Sequence, residues 1–398
     1  MKIPFGTVLI TKESRALVNR ALDSGRVSIG RYVREFEKLF AHLTGVKEAV
    51  ALSSGTDADA LALAVLYDFG AKRGDEIIVP ALSFVATGNA VLQAGFKPLF
   101  VDVERETLNI NVRQIEKAIT RKTRAIMPVH LMGKPAKMDI INRIAAKHKL
   151  FVIEDAAEAH GGIYKGKNIG AWGDMAAYSL YLAHVITTVE GGIVATNRKD
   201  CAEILRSLRS HGRACKCDVC ILNTKSAYCA KRFKYGRDIR FVFERIGYSS
   251  KMNELEAAIG IGSLRCYKKI IEKRRHNLLN MIKRFKKFED YFTTIQEEKN
   301  EKIGPHAFPM LLREGVPFTR DEFANYLEIN GIDTRDLFSS MPTQCPGFSF
   351  LGYKEGDFPN AEYIGNNGLH IGVHQGLTDK HIDYFIKTVE KFLKKYQR

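Results

Sequence analysis

Five features of this 398-residue chain have residue types and spacing suited to chemistry. Ser53-Ser54-Gly55-Thr56-Asp57 stands between the apolar run Ala49–Leu52 and a helical stretch reaching Leu66. A helix start offers unpaired backbone N–H groups, and glycine there lets a phosphate approach them closely; the same residues also read as an ordinary N-cap. Asp155 follows the run Leu150–Glu154, where its carboxylate either points into a cleft or caps the Ala156-Ala157 segment. Ser179 offers a second hydroxyl for a phosphate. His184, five residues later, carries an imidazole that titrates near neutrality; taken alone it reads as structural. Finally, Cys215, Cys217, Cys220 and Cys229 crowd four of the chain's 7 cysteines into one short stretch.

These residues need elements to position them. From about residue 48 to 200, apolar strand-like runs (Ala49–Leu52, Ile77–Pro80, Pro98–Val101, Ala125–His130, Leu150–Glu154) alternate with helix-period segments (Val85–Ala94, Met138–Lys147). That alternation predicts an α/β fold with a doubly wound, mostly parallel sheet. Ligands then bind at the carboxyl ends of the strands, where Ser53–Asp57 and Asp155 lie. The basic, Cys-rich stretch Cys215–Arg245 breaks the rhythm and reads as an inserted loop. Tyr267–Phe288 reads as a basic amphipathic helix with a solvated face. From Phe308 a smaller α+β unit follows, with helices at Arg320–Asn330 and Asp379–Lys395. The expected division is a large unit over 1–265, with the insert at about 214–245, and a connecting helix plus small C-terminal unit over 266–398.

Composition narrows the function classes. With 45% hydrophobic residues, 32 Gly and 11 Pro the chain is ordinary for a globular protein, which excludes disorder and collagen. No apolar run approaches the roughly 20 residues that span a bilayer, and Met1–Thr7 has no signal-peptide core. A cytoplasmic protein without membrane contact is expected, and a disulfide framework is not. The formal charge of +16 suits either nucleic acid or a small anionic substrate. No nucleic-acid reader motif accompanies it, so no nucleic-acid partner is expected.

In order along the chain, these features resemble the DegT/DnrJ/EryC1/StrS family of sugar aminotransferases. The resemblance rests on Phe36-Glu37, Phe40, Gly45-Val46, Ser53-Ser54-Gly55-Thr56, Pro80–Thr87, Val129–Gly133, Ile153–Gly161, Glu190-Gly191-Gly192, Gly247-Tyr248, Glu254–Gly260 and Gly372–Thr378. It implies a fold-type I, aspartate aminotransferase-like transferase dependent on pyridoxal phosphate (PLP) or pyridoxamine phosphate (PMP), built as a homodimer. By that resemblance Gly55, Thr56 and Ser179 hold the cofactor phosphate, Phe84 stacks on the pyridine ring, Asp155 pairs with its protonated nitrogen, and Glu158 lies near its ring hydroxyl. Arg335 matches a position near the sugar. Ser249 stands where the family has an Asn that reaches the phosphate from the neighbouring subunit, which puts that contact in doubt. A regulator with an aminotransferase-like domain would begin with a winged helix-turn-helix; the chain begins with the enzyme domain instead.

The family's Schiff-base lysine falls at His184, and imidazole cannot hold the cofactor covalently. It can still act as a general base with PMP. This exchange resembles the 3-dehydrase branch, which removes the C3 hydroxyl of an NDP-4-keto-6-deoxyhexose. The less favoured reading is an inactive or unusual aminotransferase homologue. Within the branch, one type (CDP-4-keto-6-deoxyglucose 3-dehydrase-like) carries an iron–sulfur cluster fed by a flavin and iron–sulfur reductase, and another is cluster-free and driven by glutamate. Cys215-Lys216-Cys217 and Cys229-Ala230-Lys231-Arg232-Phe233 resemble the cluster loop. The type's remaining upstream cysteine is Ala156 or Ala157 here, and Cys220 is the expected substitute. The resulting Cys-x-Cys-x₂-Cys-x₈-Cys set suits [2Fe–2S] or [4Fe–4S], with tetrahedral zinc as the alternative. Cys201, Cys266 and Cys345 read as incidental thiols.

Overall fold

The computed structural model describes residues 1–215, 221 and 228–396. Its centre is a seven-stranded sheet: β1 (Glu48–Leu52), β2 (Glu76–Pro80), β3 (Lys97–Val101), β4 (Thr123–Ile126), β5 (Phe151–Asp155), β6 (Met175–Ser179) and β7 (Gly192–Thr196), in the order β1-β7-β6-β5-β4-β2-β3. The run from β3 through β2, β4 and β5 to β6 is parallel, whereas β7 is antiparallel to both β6 and β1. Two reversals leave β1 parallel to β6, so the ends of β1, β5 and β6 open on one side. β6 and β7 are buried at every residue, as strands covered on both faces by helices must be.

Helices α1 (Lys12–Asp23), α2 (Arg31–Thr44), α3 (Gly55–Ala64) and α4 (Ala86–Gln93) begin the layers around this sheet. The alternation expected from residue 48 onward did not include α1 and α2. They pack on the helix Glu254–Arg265, and Glu254 fixes the entry to α2. Its carboxylate accepts from the N–H groups of Tyr32 and Val33, both at 2.9 Å. A negative group there satisfies orphan donors and opposes the positive end of the helix dipole. Gly30, the N-cap, leaves room, since a Cβ at that position would sit 2.9 Å from Glu254. Farther along α2, Glu37 pairs with buried Arg209 at 2.6 Å and also accepts from Ala51 N–H. Each partner of that buried pair has backbone bonds as well, the condition for such a pair to be tolerated.

A four-stranded antiparallel sheet follows, ordered Phe292–Thr293, Ala307–Leu312, Gly368–Gly372, Thr334–Asp336. Phe285, Phe308, Phe323, Phe385 and Phe392 fill its core. Two short pairings join it to the large sheet's surroundings: Glu301–Lys302 with Ile163–Tyr164, and Ser339–Ser340 with Leu82–Ser83. The expected helices at 320–330 and 379–395 run Arg320–Ile329 and Asp379–Leu393. The expected basic helix runs Tyr267–Phe285, with a 3₁₀ turn at Lys286–Phe288. One of its cations departs from the solvated-face expectation: Arg274 is 1% exposed. Among the described residues, no helix is long and apolar enough to cross a membrane.

Candidate active site

The chain folds Ser53–Asp57 as a turn into α3. Ser54 is the N-cap, its hydroxyl accepting from Asp57 N–H at 3.0 Å, and Ser53 donates to the Asp57 carboxylate. Strand register brings Ser179 to this point, because Leu52 pairs with Gly192 and Gly192 with Ser179. Gly55 makes the approach possible: a Cβ there would lie 2.8 Å from Ser179 Cβ. Thr56 follows on the first turn of α3. The N-cap falls on Ser54, which leaves the close approach of Gly55 and Ser179 outside the cap.

Asp155 ends β5 in a buried position. Its Oδ2 accepts from Thr87 at 2.7 Å, Thr87 is 2.8 Å from Ser83, and Oδ1 accepts from Ala157 N–H at 3.2 Å. Burial pushes its pKa up despite these bonds, which is the mark of a carboxylate lacking a cation. Asp59 on α3 faces it; burial and then Asp155 raise Asp59 further, and its Oδ1 has no partner. Glu158, one turn past Asp155, accepts from Met132 N–H at 2.7 Å and is pushed up to about 8, first by burial.

His184 lies on the loop after β6. That loop is tied down by Leu180 N–H to Gly191 O at 2.9 Å and Thr188 N–H to Leu180 O at 3.0 Å. The His184 Nδ1 is buried without a hydrogen-bond partner among the described residues. Burial, then His160 and Arg274, push its pKa down to about 3, so the ring is a neutral base. Its ring centroid is 5.0 Å from that of His306, whose Nε2 is 3.4 Å from Glu158 Oε1.

Phe84 leaves its ring 57% exposed, an aromatic face open for stacking. A ladder of rings leads from it to the small sheet: Phe84–Phe338 at 5.6 Å, Phe338–His370 at 5.9 Å, His370–Phe5 at 5.3 Å, with the Arg335 guanidinium 5.1 Å over Phe5. Arg335 stands at the far end of this ladder. Ser249 is exposed, with its Oγ accepting from Lys251 at 3.3 Å, on the segment whose Ser250 carbonyl accepts from Ser53 N–H.

The cysteine set is only half described. Cys217 and Cys220 lie outside the described residues. Cys215 and Cys229, at the borders, are free and half-buried. Among the described residues of the insert the backbone is irregular, with a bridge from Arg213 to Phe243 and a 3₁₀ turn at Ile239–Phe241. Cys201 is buried, and burial pushes its thiol up to about 12, an inert state.

Sequence reading missed Thr87, Asp59, Arg274 and His306. Thr87 lay inside the quoted Pro80–Thr87 motif without a role. Nothing in Pro305-His306-Ala307-Phe308 distinguished that histidine from a core residue.

The cradle between Gly55 and Ser179, the desolvated Asp155 carboxyl, the open Phe84 ring and the orphaned His184 nitrogen together fit a phosphorylated, cationic, flat cofactor. With this sheet they define a fold-type I pyridoxal-phosphate-dependent enzyme. The DegT/DnrJ/EryC1/StrS aminotransferase family matches residues 8–390, and the chain belongs to it. Its similarity runs to the family's 3-dehydratase branch. The dTDP-4-dehydro-2,6-dideoxy-D-glucose 3-dehydratase of Saccharopolyspora spinosa is 35% identical, over 98% of this chain and 86% of that protein. The GDP-4-keto-6-deoxy-D-mannose 3-dehydratase of Yersinia pseudotuberculosis is 34% identical over 90% of each. The E. coli GDP-4-keto-6-deoxy-D-mannose-3-dehydratase, solved with bound hydrated PLP, superposes with a TM-score of 0.84 at 28% identity, covering 98% of this chain and 99% of that one.

Gly55→Ala tests the cradle. The added methyl meets a buried strand residue that cannot retreat, so a stability loss of about 1–3 kcal/mol is expected in thermal melts, together with poorer retention of PLP on gel filtration.

Proposed function

We propose that this chain removes the C3 hydroxyl of an NDP-4-keto-6-deoxyhexose with PMP as cofactor. The observation that carries this reading is the imidazole at 184: the loop after β6 presents a ring that can take a proton, not an amine that can store the cofactor. Gly55, Thr56 and Ser179 would hold the cofactor phosphate, where the α3 N–H groups add their dipole. Phe84 would cover the ring, Asp155 would face its protonated nitrogen, and Glu158 would stand by its hydroxyl. Ser249 would meet a phosphate across a homodimer interface, and Arg335 the sugar nucleotide. When bound, PMP supplies the amine that condenses with the sugar C4 ketone and the ring that accepts the electron pair released at C4′. His184, neutral throughout the physiological range, takes the C4′ proton on its free ring nitrogen. Thr87 and the Ala157 N–H hold the Asp155 carboxylate in place.

Loss of the hydroxyl as water consumes two electrons and two protons. The donor set Cys215, Cys217, Cys220 and Cys229 suits an iron–sulfur cluster, which when bound would pass electrons singly from a flavin and iron–sulfur reductase. Free thiols at Cys215 and Cys229 support this donor set and a reducing, cytoplasmic setting. The second reading is a cluster-free enzyme regenerated by glutamate with zinc on the cysteines; its glutamate step is favoured by the likeness to a GDP-4-keto-6-deoxymannose-3-dehydratase solved with a trapped PLP–glutamate geminal diamine.

Anaerobic purification separates the two. Iron and acid-labile sulfide with a coloured spectrum, and reductase-dependent turnover of CDP-, dTDP- or GDP-4-keto-6-deoxyhexoses, are expected. Cys215→Ser and Cys229→Ser should each lose most of the iron while still binding PLP. A colourless, zinc-loaded protein that consumes glutamate would establish the second reading.

A further inference from the structure

His306 has no part in the scheme above, yet it is placed as though it served His184. The two ring centroids are 5.0 Å apart and tilted by 38°. Beyond His306 stands Glu158, with Oε1 3.4 Å from Nε2; the other carboxylate oxygen is taken by Met132 N–H. Both imidazoles keep a buried Nδ1 with no partner among the described residues. A buried nitrogen left unpaired costs stability, and two of them on adjacent rings beside the proposed base point to a shared use. The rings also share one anchor. Arg274 donates through Nη2 to Ala183 O at 3.3 Å, and through Nη1 to Pro305 O at 3.3 Å and His306 O at 3.4 Å. Gln375 holds its Nε at 3.0 Å. A single guanidinium therefore sets the spacing of the two histidine-bearing segments.

We infer that His306 is a positioning residue that relays protons from Glu158 to His184, reprotonating the imidazole inside a closed site after it has passed its first proton to the leaving hydroxyl. The inference rests on the proposed reaction, in which two protons are consumed while one imidazole carries one. The transfer balances within the chain. The Glu158 O–H bond breaks as a proton joins His306 Nε2, and the His306 Nδ1–H bond breaks as its proton joins His184 Nδ1. Glu158 ends as a carboxylate, His306 as its other tautomer, and His184 as an imidazolium. The Nδ1 pair is not bonded in the resting arrangement, and such bonds commonly tighten only when substrate is present.

The surrounding charges set where the proton rests. His184 faces His160 and Arg274; His306 faces His184, Arg274, His370 and His160; Glu158 faces Asp155. His370 is itself held neutral, by burial and then by Arg335. Burial and these cations disfavour imidazolium on either ring, while burial and Asp155 keep the proton on Glu158 up to about pH 8. The proton therefore rests on Glu158, and it moves inward against this gradient only once His184 has given its own proton to the substrate.

The test compares His306→Phe, which keeps a ring without nitrogens, with His306→Ala, which leaves a cavity. Two readouts are used: pH profiles of kcat on the 4-keto sugar-nucleotide panel, and pH titration of the absorbance of bound PLP. In His306→Phe, PLP affinity and KM stay within about 2-fold, kcat falls about 10²-fold, and the PLP titration shifts because Glu158 has lost its neighbour. Free imidazole restores turnover to His306→Ala but not to His306→Phe. Glu158→Gln combined with His306→Phe is no slower than the slower single variant. Unchanged kcat and an unchanged titration overturn the relay. Where the wild-type protein turns over none of the panel, the proposed reaction falls, and an identical PLP titration in wild type and His306→Phe overturns the relay independently.

Discussion

Replacing His184 with alanine should lower kcat by about 10²- to 10⁴-fold while leaving PLP binding and KM nearly unchanged. No lysine at this position holds the cofactor, so in the proposed site retention would rest on Gly55, Thr56, Ser179 and Asp155, which the substitution does not touch. The side chain removed is the neutral imidazole whose buried Nδ1 has no other partner. Its pKa, pushed down to about 3, gives the pH dependence a definite sign. The base stays competent from neutral pH well into the acid range, and activity fails through this group only as pH approaches that value. Stability follows the same direction. Between the ordinary imidazole value and about 3 the unfolded chain binds the extra proton, so His184 contributes stability that is full above the ordinary value and lost as pH falls. Single-turnover rates and thermal melts across pH 4–8 check both statements. A variant with wild-type turnover would end the assignment of His184 as base.

Asp155→Asn should separate function from stability. In the cofactor-free protein the Asp155 carboxylate is buried, and burial raises its pKa. Its folded form therefore binds a proton more readily than its unfolded form, and its charged state opposes folding as pH rises. Asparagine keeps the shape without the charge, so the cofactor-free variant should melt no lower than wild type, and the difference should widen in its favour as pH rises. With cofactor the sign reverses. A buried carboxylate facing a pyridinium is a pair whose disruption costs about 3–5 kcal/mol, and PLP affinity and kcat should together fall by at least about 10²-fold. Equilibrium dialysis with PLP and melts with and without PLP measure the two effects separately. A variant that binds PLP as tightly as wild type would remove Asp155 from the cofactor site.

The sequence carried the parallel part of the fold because buried strands such as Ile77–Pro80 and Leu150–Glu154 are short, apolar and spaced by helix-length segments. It did not carry the reversal at β7: a strand buried on both faces is apolar whichever way it runs, and direction is set by register against β6 and β1. Helices α1 and α2 escaped because charged residues interrupt their apolar positions, and α2 is started by Glu254, more than two hundred residues away. Within the site, Ser53–Thr56, Asp155, Ser179 and His184 were readable because each lies at or shortly past the end of a strand. Thr87 and His306 act through distant partners, Asp155 and Glu158, that no local spacing reveals. Arg274 misled for a related reason. Among so many neighbouring lysines and arginines it looked like one more solvated cation, and only packing distinguishes it.

Arg274 grips the chain on either side of the paired imidazoles by carbonyl oxygens alone. Carbonyl oxygens are common to every amino acid, so this grip is blind to which side chains occupy 183 and 305. The grip itself places no demand on those side chains, and the histidine spacing does not depend on them. The freedom of the neighbours is bought by the immobility of one arginine, which neither lysine nor glutamine can replace with the same three-way reach. Variation in descendants of this chain should therefore pass around Arg274 rather than through it.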